Sequence, residues 1–409
     1  MSNRNRRLVD MPDDGTGETQ ALDHHQANLV IRGFKRLYVH KFERANRVPM
    51  KIKTDISIDY LRSKRDIHTR LHSIILPQLD QEFQAISQVL YNLDEFRKEP
   101  GSKLQLILDM QPEISRTLDQ LVCAIDELIP GNTPAPSQTN DQHFQEFKGY
   151  RMYRLDEAIR QRLRLDVLKY FNYSKHIIQE LVLPARGYPY SIYDISADLN
   201  RSIDQAITWL KGSELQIISH LWEEGLIDGS RRFAPFDEYF SLFHPPQESN
   251  LLSPTPEITI SKLATPLGKS MIPILKLTKL FFDKLASKGM KDEQAPLFTE
   301  MSSDQLNFLH DSAEDVGEFV SNLMDILGDA DMDSPDDISS RLVDEIEKLS
   351  KLFQAYVPLA AFYLTPLFPD IDGVSSQTYF RSWFTTWNTL FFTATHNAIQ
   401  AAHAFEEEN

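Results

Sequence analysis

The chain has 409 residues and a formal net charge of −16, with 43 Lys and Arg against 59 Asp and Glu. This length exceeds the ~250 to 300 residues at which a single hydrophobic core usually splits, so we expect two or three packed units. The charge argues against general nucleic-acid binding, and a count of only 15 glycines argues against β-rich folds and glycine-rich phosphate loops.

Apolar residues recur at helical spacing through most of the chain. This pattern predicts an all-α fold of about nine helices, two of them about 40 residues long, packed as two helical bundles. We divide the chain by composition and periodicity into five parts. They are a disordered tail (1–18), N-terminal helices (19–130), central helices (142–227), a proline- and aromatic-rich linker (228–260) and a C-terminal helical bundle (261–405).

Prolines and polar residues set the expected helix boundaries. Pro77 lies inside the first long helical pattern and predicts a kink or a break, and Pro112 predicts the start of a new segment. The pair Ser302 and Gln305 has the spacing of a capping box, and Ser334 before Pro335 is typical of a helix start. The aromatic residues of the linker indicate that part of it packs onto the core.

The final helix, residues 375–405, carries an apolar stripe along one side. Its members are Phe380, Trp383, Phe384, Trp387, Phe391, Ala394, Ala398, Ala402 and Phe405. Side chains of this size bury a large area, so we expect neighbouring helices to cover the stripe. The alternative is an exposed stripe that is itself a binding surface.

No stretch carries the residues of a known catalytic, cofactor or metal site, so the sequence predicts none of the three. Asp329, Asp331 and Asp333 resemble the start of a calcium loop, but the required Gly and the final Glu are missing. His68 and His72 have helical spacing without a third ligand. Cys123 lies in an apolar run and is predicted to be a buried structural thiol.

Charge is unevenly distributed along the chain. Residues 32–53 hold eight basic residues against Glu43 alone, whereas residues 291–350 hold seventeen acids against three bases. We predict partner binding by residues of the basic faces at 32–53 and 148–169. The candidates are Arg32, Lys35, Arg36, Lys41, Arg44, Arg47, Arg151 and Arg154. The alternatives are solvated charge without a partner, pairing with the acidic region of this chain or of another copy, an anionic membrane surface, and RNA or DNA.

The residues also suggest a compartment. The N-terminal sequence has no apolar core of a signal peptide, and a single cysteine, Cys123, cannot form an internal disulfide. We therefore expect a soluble intracellular protein, cytoplasmic or, if Arg4, Arg6 and Arg7 act in import, nuclear. The most apolar stretch outside the last helix, residues 357–368, is shorter than the ~20 residues of a membrane span and contains two prolines.

Three stretches together resemble a known group of proteins. They are LHSIILPQLDQEFQAISQVL (71–90), GSKLQLILDMQPEISRTLDQLVCAIDELIP (101–130) and SIDQAITWLKGSELQIISHLWEEGL (202–226). They resemble the expanded, uncharacterised all-helical proteins of rust fungi. The resemblance implies a helical fold over most of residues 55–405 and brings no activity, cofactor or catalytic residue. A vinculin-like helical bundle is the second candidate, on helix number and length alone.

These observations together predict a non-enzymatic helical protein that acts as a protein–protein interaction module or scaffold, with an unidentified protein partner and no cofactor. Long amphipathic helices joined by proline-containing turns offer grooves of the kind that bind helices. Two alternatives stay open. One is an enzyme whose site is assembled from residues distant in sequence, and the other is binding of nucleic acid or an acidic partner through the basic faces.

Overall fold

The computed structural model describes residues 16–39, 58–130, 136–182, 192–222, 235–243, 264–290 and 296–408. Over these ranges the chain is all-α, with α-helices joined by short 3₁₀ and π-helical turns and no β-strand. The predicted fold class is therefore confirmed. Residues 1–15 of the predicted tail and most of the predicted linker lie outside the described residues. Residues 16–18, which were assigned to the disordered tail, are helical.

The chain forms two compact units. Unit 1 comprises Met1–Pro134 and Met152–Lys211, and unit 2 comprises Ala135–Arg151 and Gly212–Asn409. The chain therefore leaves unit 1, contributes a short segment to unit 2, returns, and then completes unit 2. The last of these crossings falls inside the predicted central helices, 142–227.

Unit 1 is built from long amphipathic helices. They are α1 (Thr16–Tyr38), α2 (Ile58–Arg70), α3 (Leu76–Tyr91), α4 (Leu93–Lys98), α5 (Pro100–Leu128), most of α6 (Gly149–Glu157), α7 (Arg164–Val182) and α8 (Ile192–Lys211). Helix α1 packs against α5 and α7, and α3 packs against α5 and α8. The buried residues of α1, among them Val30 and Phe34, follow the helical period of the sequence.

The two prolines of this region behave differently. A π-helical turn, Leu71–Ile75, directly precedes α3, and Pro77 lies in the first turn of α3. The chain stays helical through this turn, so the proline coincides with a local change of helix type. Pro112 lies inside an uninterrupted α5, so the predicted new segment is wrong. Ile107, Ile114 and other residues of α5 are fully buried on both sides of Pro112. Their packing outweighs the ~3 kcal/mol that an internal proline costs a helix.

Unit 2 contains α9 (Glu214–Trp222), α10 (Pro235–Phe243), α11 (Thr265–Leu285), α12 (Ser303–Gly328), α13 (Pro335–Leu359) and α14 (Ser376–Glu408). Both predicted helix starts are confirmed. Ser302 and Gln305 form the full capping box at α12, and the Ser334 hydroxyl accepts a hydrogen bond from the Asp337 amide at the start of α13.

The apolar stripe of α14 is buried against α11 and α13. Trp387 is 2% exposed, stacks on Phe391 with a centroid separation of 4.7 Å, and lies 5.2 Å from Phe281 and 5.0 Å from Phe353. Its indole N–H donates to the Leu277 carbonyl at 2.9 Å. The stripe is therefore part of the core of unit 2, and the alternative of an exposed stripe is wrong.

Helix α10 is the part of the predicted linker that packs onto the core. Phe236 and Tyr239 are buried, and the Tyr239 hydroxyl donates to the Gly268 carbonyl at 2.9 Å. The Phe243 ring, at the end of α10, packs directly against Gly268 of α11. Burial raises the pKa of the Tyr239 phenol well above its ordinary value. The expectation that aromatic residues of the linker dock is confirmed for this helix.

Substituting Gly268 with Ala is expected to loosen α10. An added Cβ would lie 2.2 Å from Cζ of Phe243 and 3.2 Å from a methyl carbon of Leu327. Because the Phe243 ring must move away, we expect the free energy of unfolding to fall by about 1 to 3 kcal/mol, although alanine has the better helix propensity. Peptide-resolved hydrogen exchange should show faster exchange in α10.

Lys269→Ala changes the exposed neighbour of Gly268 and is the matched control. It should leave exchange in α10 unchanged. Equal protection of α10 in Gly268→Ala and the wild type would show that Phe243 does not anchor the helix.

Candidate interaction surface

The most strongly charged surface of unit 2 lies on α12, α13 and the turn between them. Contacts of Asn322 with Glu345 and of Asp329 with Arg341 show that the two helices run antiparallel. This arrangement brings together carboxylates from both helices. We call them the acidic face: Glu318, Asp325, Asp329, Asp333, Asp337, Asp344 and Glu345.

One guanidinium joins the turn to α13. Arg341 contacts Asp333 at 2.8 Å, Asp329 at 3.2 Å and Asp337 at 3.6 Å. Desolvation lowers the pKa of Arg341, but the hydrogen bond and charge of Asp329 and the charges of Asp337 and Asp333 outweigh it, so its pKa is raised. The positive charge beside the Asp329 turn is thus supplied by a side chain of α13.

A shallow groove of about 220 Å³ runs between α12 and α13 within the acidic face. Asp325, Asp344 and Glu345 are among its lining residues, with Ile326 as the apolar member. Lys348 also lines it, and the hydrogen bond and charge of Glu345 raise the pKa of its ammonium. The groove is therefore lined mainly by charged side chains, with three carboxylates against two bases.

Only part of the first predicted basic face can be located. Arg32, Lys35 and Arg36 are exposed on the outer side of α1, which supports their availability to a partner. Lys41, Arg44 and Arg47 lie outside the described residues. Whether these residues bind a partner stays a prediction.

Most bases of the second predicted basic face are buried or half-buried, whereas Arg162 and Lys169 are exposed. Lys148 is fully buried, Arg151 is 1% exposed and Arg160 is also buried. Arg160 lies 2.8 Å from Asp126 and 2.9 Å from Asp156, and the half-buried Arg154 lies 3.1 Å from Glu157. Pairing with the acidic region at 291–350 was one alternative for these bases, but the carboxylates beside Arg154 and Arg160 belong to other parts of the chain.

Lys148 and Glu214 form a buried ion pair inside unit 2. The Lys148 ammonium donates to Glu214 Oε2 at 3.0 Å and to the Thr299 carbonyl at 2.7 Å. The same Oε2 accepts from the Thr299 amide at 2.7 Å and hydroxyl at 2.8 Å. These four charge-assisted contacts connect the 135–151 segment, the start of α9 and the non-helical residues that precede α12.

Arg151 lies beside this pair and completes the packing of the 135–151 segment. Its guanidinium donates to the Gly212 carbonyl at 3.1 Å and lies 5.4 Å from the centre of the Phe298 ring. Desolvation lowers the pKa of Arg151, opposed by the charge of Glu214. A side chain in these surroundings positions the segment and does not reach solvent.

Two family models match successive parts of the chain. Residues 64–211 are similar to a domain of unknown function, DUF8723. Residues 213–400 are similar to a second domain of unknown function, DUF8721. The junction between the two matches falls where the chain enters unit 2 for good, after Lys211. No curated protein and no solved structure matches the chain.

These matches bear on the earlier resemblance in part. They agree with uncharacterised helical domains over most of the chain. They name no organism and do not show that the family is expanded, so the likeness to rust-fungal proteins stays a prediction. They also leave the interaction function to be argued from the surface itself.

The two histidines at helical spacing lie close together in unit 1. His68 is buried and its ring meets that of His72 edge to face, with a centroid separation of 5.6 Å. Burial and the charge of Lys211 lower the pKa of His72. In the part of the chain that the structure describes, no three His, Cys, Asp or Glu residues are grouped to hold a metal ion.

Cys123 is exposed, so the prediction of a buried thiol is wrong. The buried residues of α5 on either side of it, Leu121, Ala124 and Ile125, face the core at helical spacing. Position 123 falls on the other side of the helix. An apolar run of residues is thus a weaker guide to burial than the helical period.

Among the described helices, none combines the length and the apolar character that crossing a membrane requires. The last helix, α14, is long but interrupts its apolar stripe with polar residues such as Asn388 and Gln400. This agrees with the expectation of no membrane span.

The sequence indicated the acidic face only as a count of charges. Our partner-binding residues were all basic, and the acidic region was considered as their counterpart. The available signal was the spacing of Asp325, Asp329 and Asp333, which repeats every four residues from the end of α12 into the turn. The series continues with Asp337, and Arg341 follows Asp337 by four residues. Charged residues at this spacing lie on one side of the chain, which here becomes a surface that α12 and α13 share.

Proposed function

We propose that this protein is a non-enzymatic interaction module whose acidic face binds a Lys- and Arg-rich segment of another protein. The observation that carries the proposal is the concentration of exposed carboxylates on α12 and α13, in excess of the two basic residues, Arg341 and Lys348, that lie among them. Fixed like charges repel one another, and a basic partner relieves that repulsion.

The shape of the groove supports a polypeptide partner with long basic side chains. Lys and Arg bury their aliphatic stems along apolar surface while the charged end stays near carboxylates. Ile326 lines the groove but is only 3% exposed, so the aliphatic parts of the Arg341 and Lys348 side chains are the other apolar groups there, and Asp325 and Asp344 offer carboxylates. Complementary charge of this kind raises association rates and selects partners.

Binding of a labelled peptide of repeating Lys-Arg-Ala-Ala to the full chain tests the proposal. We expect saturable binding in fluorescence anisotropy that weakens as salt is added. The triple variant Glu318→Lys/Asp325→Lys/Asp344→Lys, called the acidic-face variant, should bind the peptide about tenfold or more weakly. All three replaced residues are exposed, so the fold should tolerate them.

The matched control places the same change of charge elsewhere. Asp94→Lys/Asp109→Lys/Glu127→Lys, called the unit 1 control variant, alters three exposed residues of unit 1. It should keep most of the affinity. Equal weakening in both triple variants would show that net charge alone attracts the peptide, and no binding by the wild type at low salt would refute the proposed function.

A further inference from the structure

We infer that the partner of the acidic face is the basic outer side of α1 on a second copy of this chain. The inference rests on the proposed function, because it names the occupant of the same face. The described chain carries both halves of a complementary pair: clustered carboxylates on unit 2 and clustered bases on unit 1.

The basic side of α1 is rigidly presented. Ala27, Val30, Phe34 and Leu37 are buried and fix the helix in unit 1. Arg32, Lys35 and Arg36 therefore point outward from the opposite side. The sequence from Ala27 to Val39 contains no Asp or Glu, so helix α1 itself offers these bases no counter-charge over that stretch.

Exposed apolar side chains accompany the charges on both surfaces. Tyr38 and Val39 lie exposed at the end of α1, Val39 at 70%. On the acidic side, Met332 is 88% exposed between Asp331 and Asp333 in the turn after α12. Stable interfaces combine an apolar centre with a polar rim, and each surface supplies both.

Charge complementarity selects a second copy as the occupant. Two copies carry like net charges of −16 and repel at long range, but at physiological salt the screening length is about 8 Å. At contact distance the local charges determine whether two copies attract, and there Arg32, Lys35 and Arg36 would lie against a surface of opposite sign. Each copy carries both surfaces.

Such a contact joins two different surfaces and is therefore heterologous. Each added copy leaves one acidic face and one α1 side unused, so assembly continues into open chains unless the rotation closes a ring. The expected signature is a mass that grows with concentration.

Sedimentation velocity of the full chain tests the inference. We expect the weight-average mass to rise over about a hundredfold range of concentration and to fall toward that of a monomer when salt is raised to about 1 M. A wild type that stays monomeric throughout the concentration range would overturn the inference.

A charge exchange between two variants gives the sharper test. The α1 variant is Arg32→Glu/Lys35→Glu/Arg36→Glu, and its counterpart is the acidic-face variant. Each alone would place like charges at the contact, so each should be monomeric. Their equimolar mixture restores opposite charges at every contact, and its mass should rise again by at least about half of the wild-type increase.

The unit 1 control variant should self-associate like the wild type. Self-association of the α1 variant at the wild-type level would overturn the inference, as would a mixture that stays monomeric while both variants are folded by circular dichroism. The two proposals fail separately. A monomeric wild type that still binds the Lys-Arg-Ala-Ala peptide removes the second copy and keeps the proposed function, and loss of peptide binding removes both.

Discussion

Replacing Trp387 with Ala is expected to reduce the free energy of unfolding of unit 2 by about 3 to 5 kcal/mol. The side chain is 2% exposed and contacts aromatic rings of α11, α13 and α14. Its removal leaves a cavity where three helices meet. It also leaves the Leu277 carbonyl without the indole donor at 2.9 Å, which adds to the loss.

The measurement is a urea titration read by peptide-resolved hydrogen exchange, which assigns the transition to unit 2. Phe392→Ala is the matched control on the same helix, because Phe392 is 58% exposed. It should change the free energy of unfolding by less than about 0.5 kcal/mol. Equal losses for the two variants would contradict a core role for Trp387.

Helix starts and buried stripes could be predicted from the sequence because they depend on residues close together. A capping box needs Ser302 and Gln305, three residues apart, and the stripe of α14 repeats every three to four residues. The same local information failed at Pro112. There the helix continues because tertiary packing on both sides exceeds the local cost of the proline.

The buried bases could not be predicted from local sequence. Lys and Arg are rarely fully buried, so an exposed face was the natural expectation for residues 148–169. Lys148 is buried because it finds Glu214, 66 residues away, and the Thr299 carbonyl, 151 residues away. No periodicity in the sequence encodes contacts over such separations.

The acidic face illustrates an intermediate case. The excess of acids in residues 291–350 is visible in the sequence, but its concentration on one surface requires the antiparallel packing of α12 and α13. Arg341 shows this dependence, because it contacts Asp329 and Asp333 of the preceding turn as well as Asp337 of its own helix. The charge count indicated the acidic region, and the packing of α12 and α13 shows which of its carboxylates share one surface.

Replacing Lys148 with Met is expected to destabilise unit 2 by about 3 to 5 kcal/mol, because the buried Glu214 carboxylate loses its hydrogen-bonded ammonium and keeps only the more distant charge of Arg151. Methionine keeps the length and apolar character of the lysine stem, so the change isolates the ammonium group. The Thr299 amide and hydroxyl still donate to Oε2, and they limit the loss without balancing the charge.

The double variant Lys148→Met/Glu214→Gln separates charge from packing. Glutamine keeps an acceptor for the Thr299 amide and hydroxyl but carries no charge, so the double variant should recover all but about 1 to 2 kcal/mol of the wild-type free energy of unfolding. The single variant Glu214→Gln strands the Lys148 ammonium and should be as unstable as Lys148→Met. Additive losses in the double variant, read by the same urea and exchange measurements, would show that the pair is not coupled. Strong coupling would show that a charged pair fixes the 135–151 segment in unit 2. Two apolar side chains of similar volume could fill the same space, but they have no hydrogen bonds to set the position of the segment.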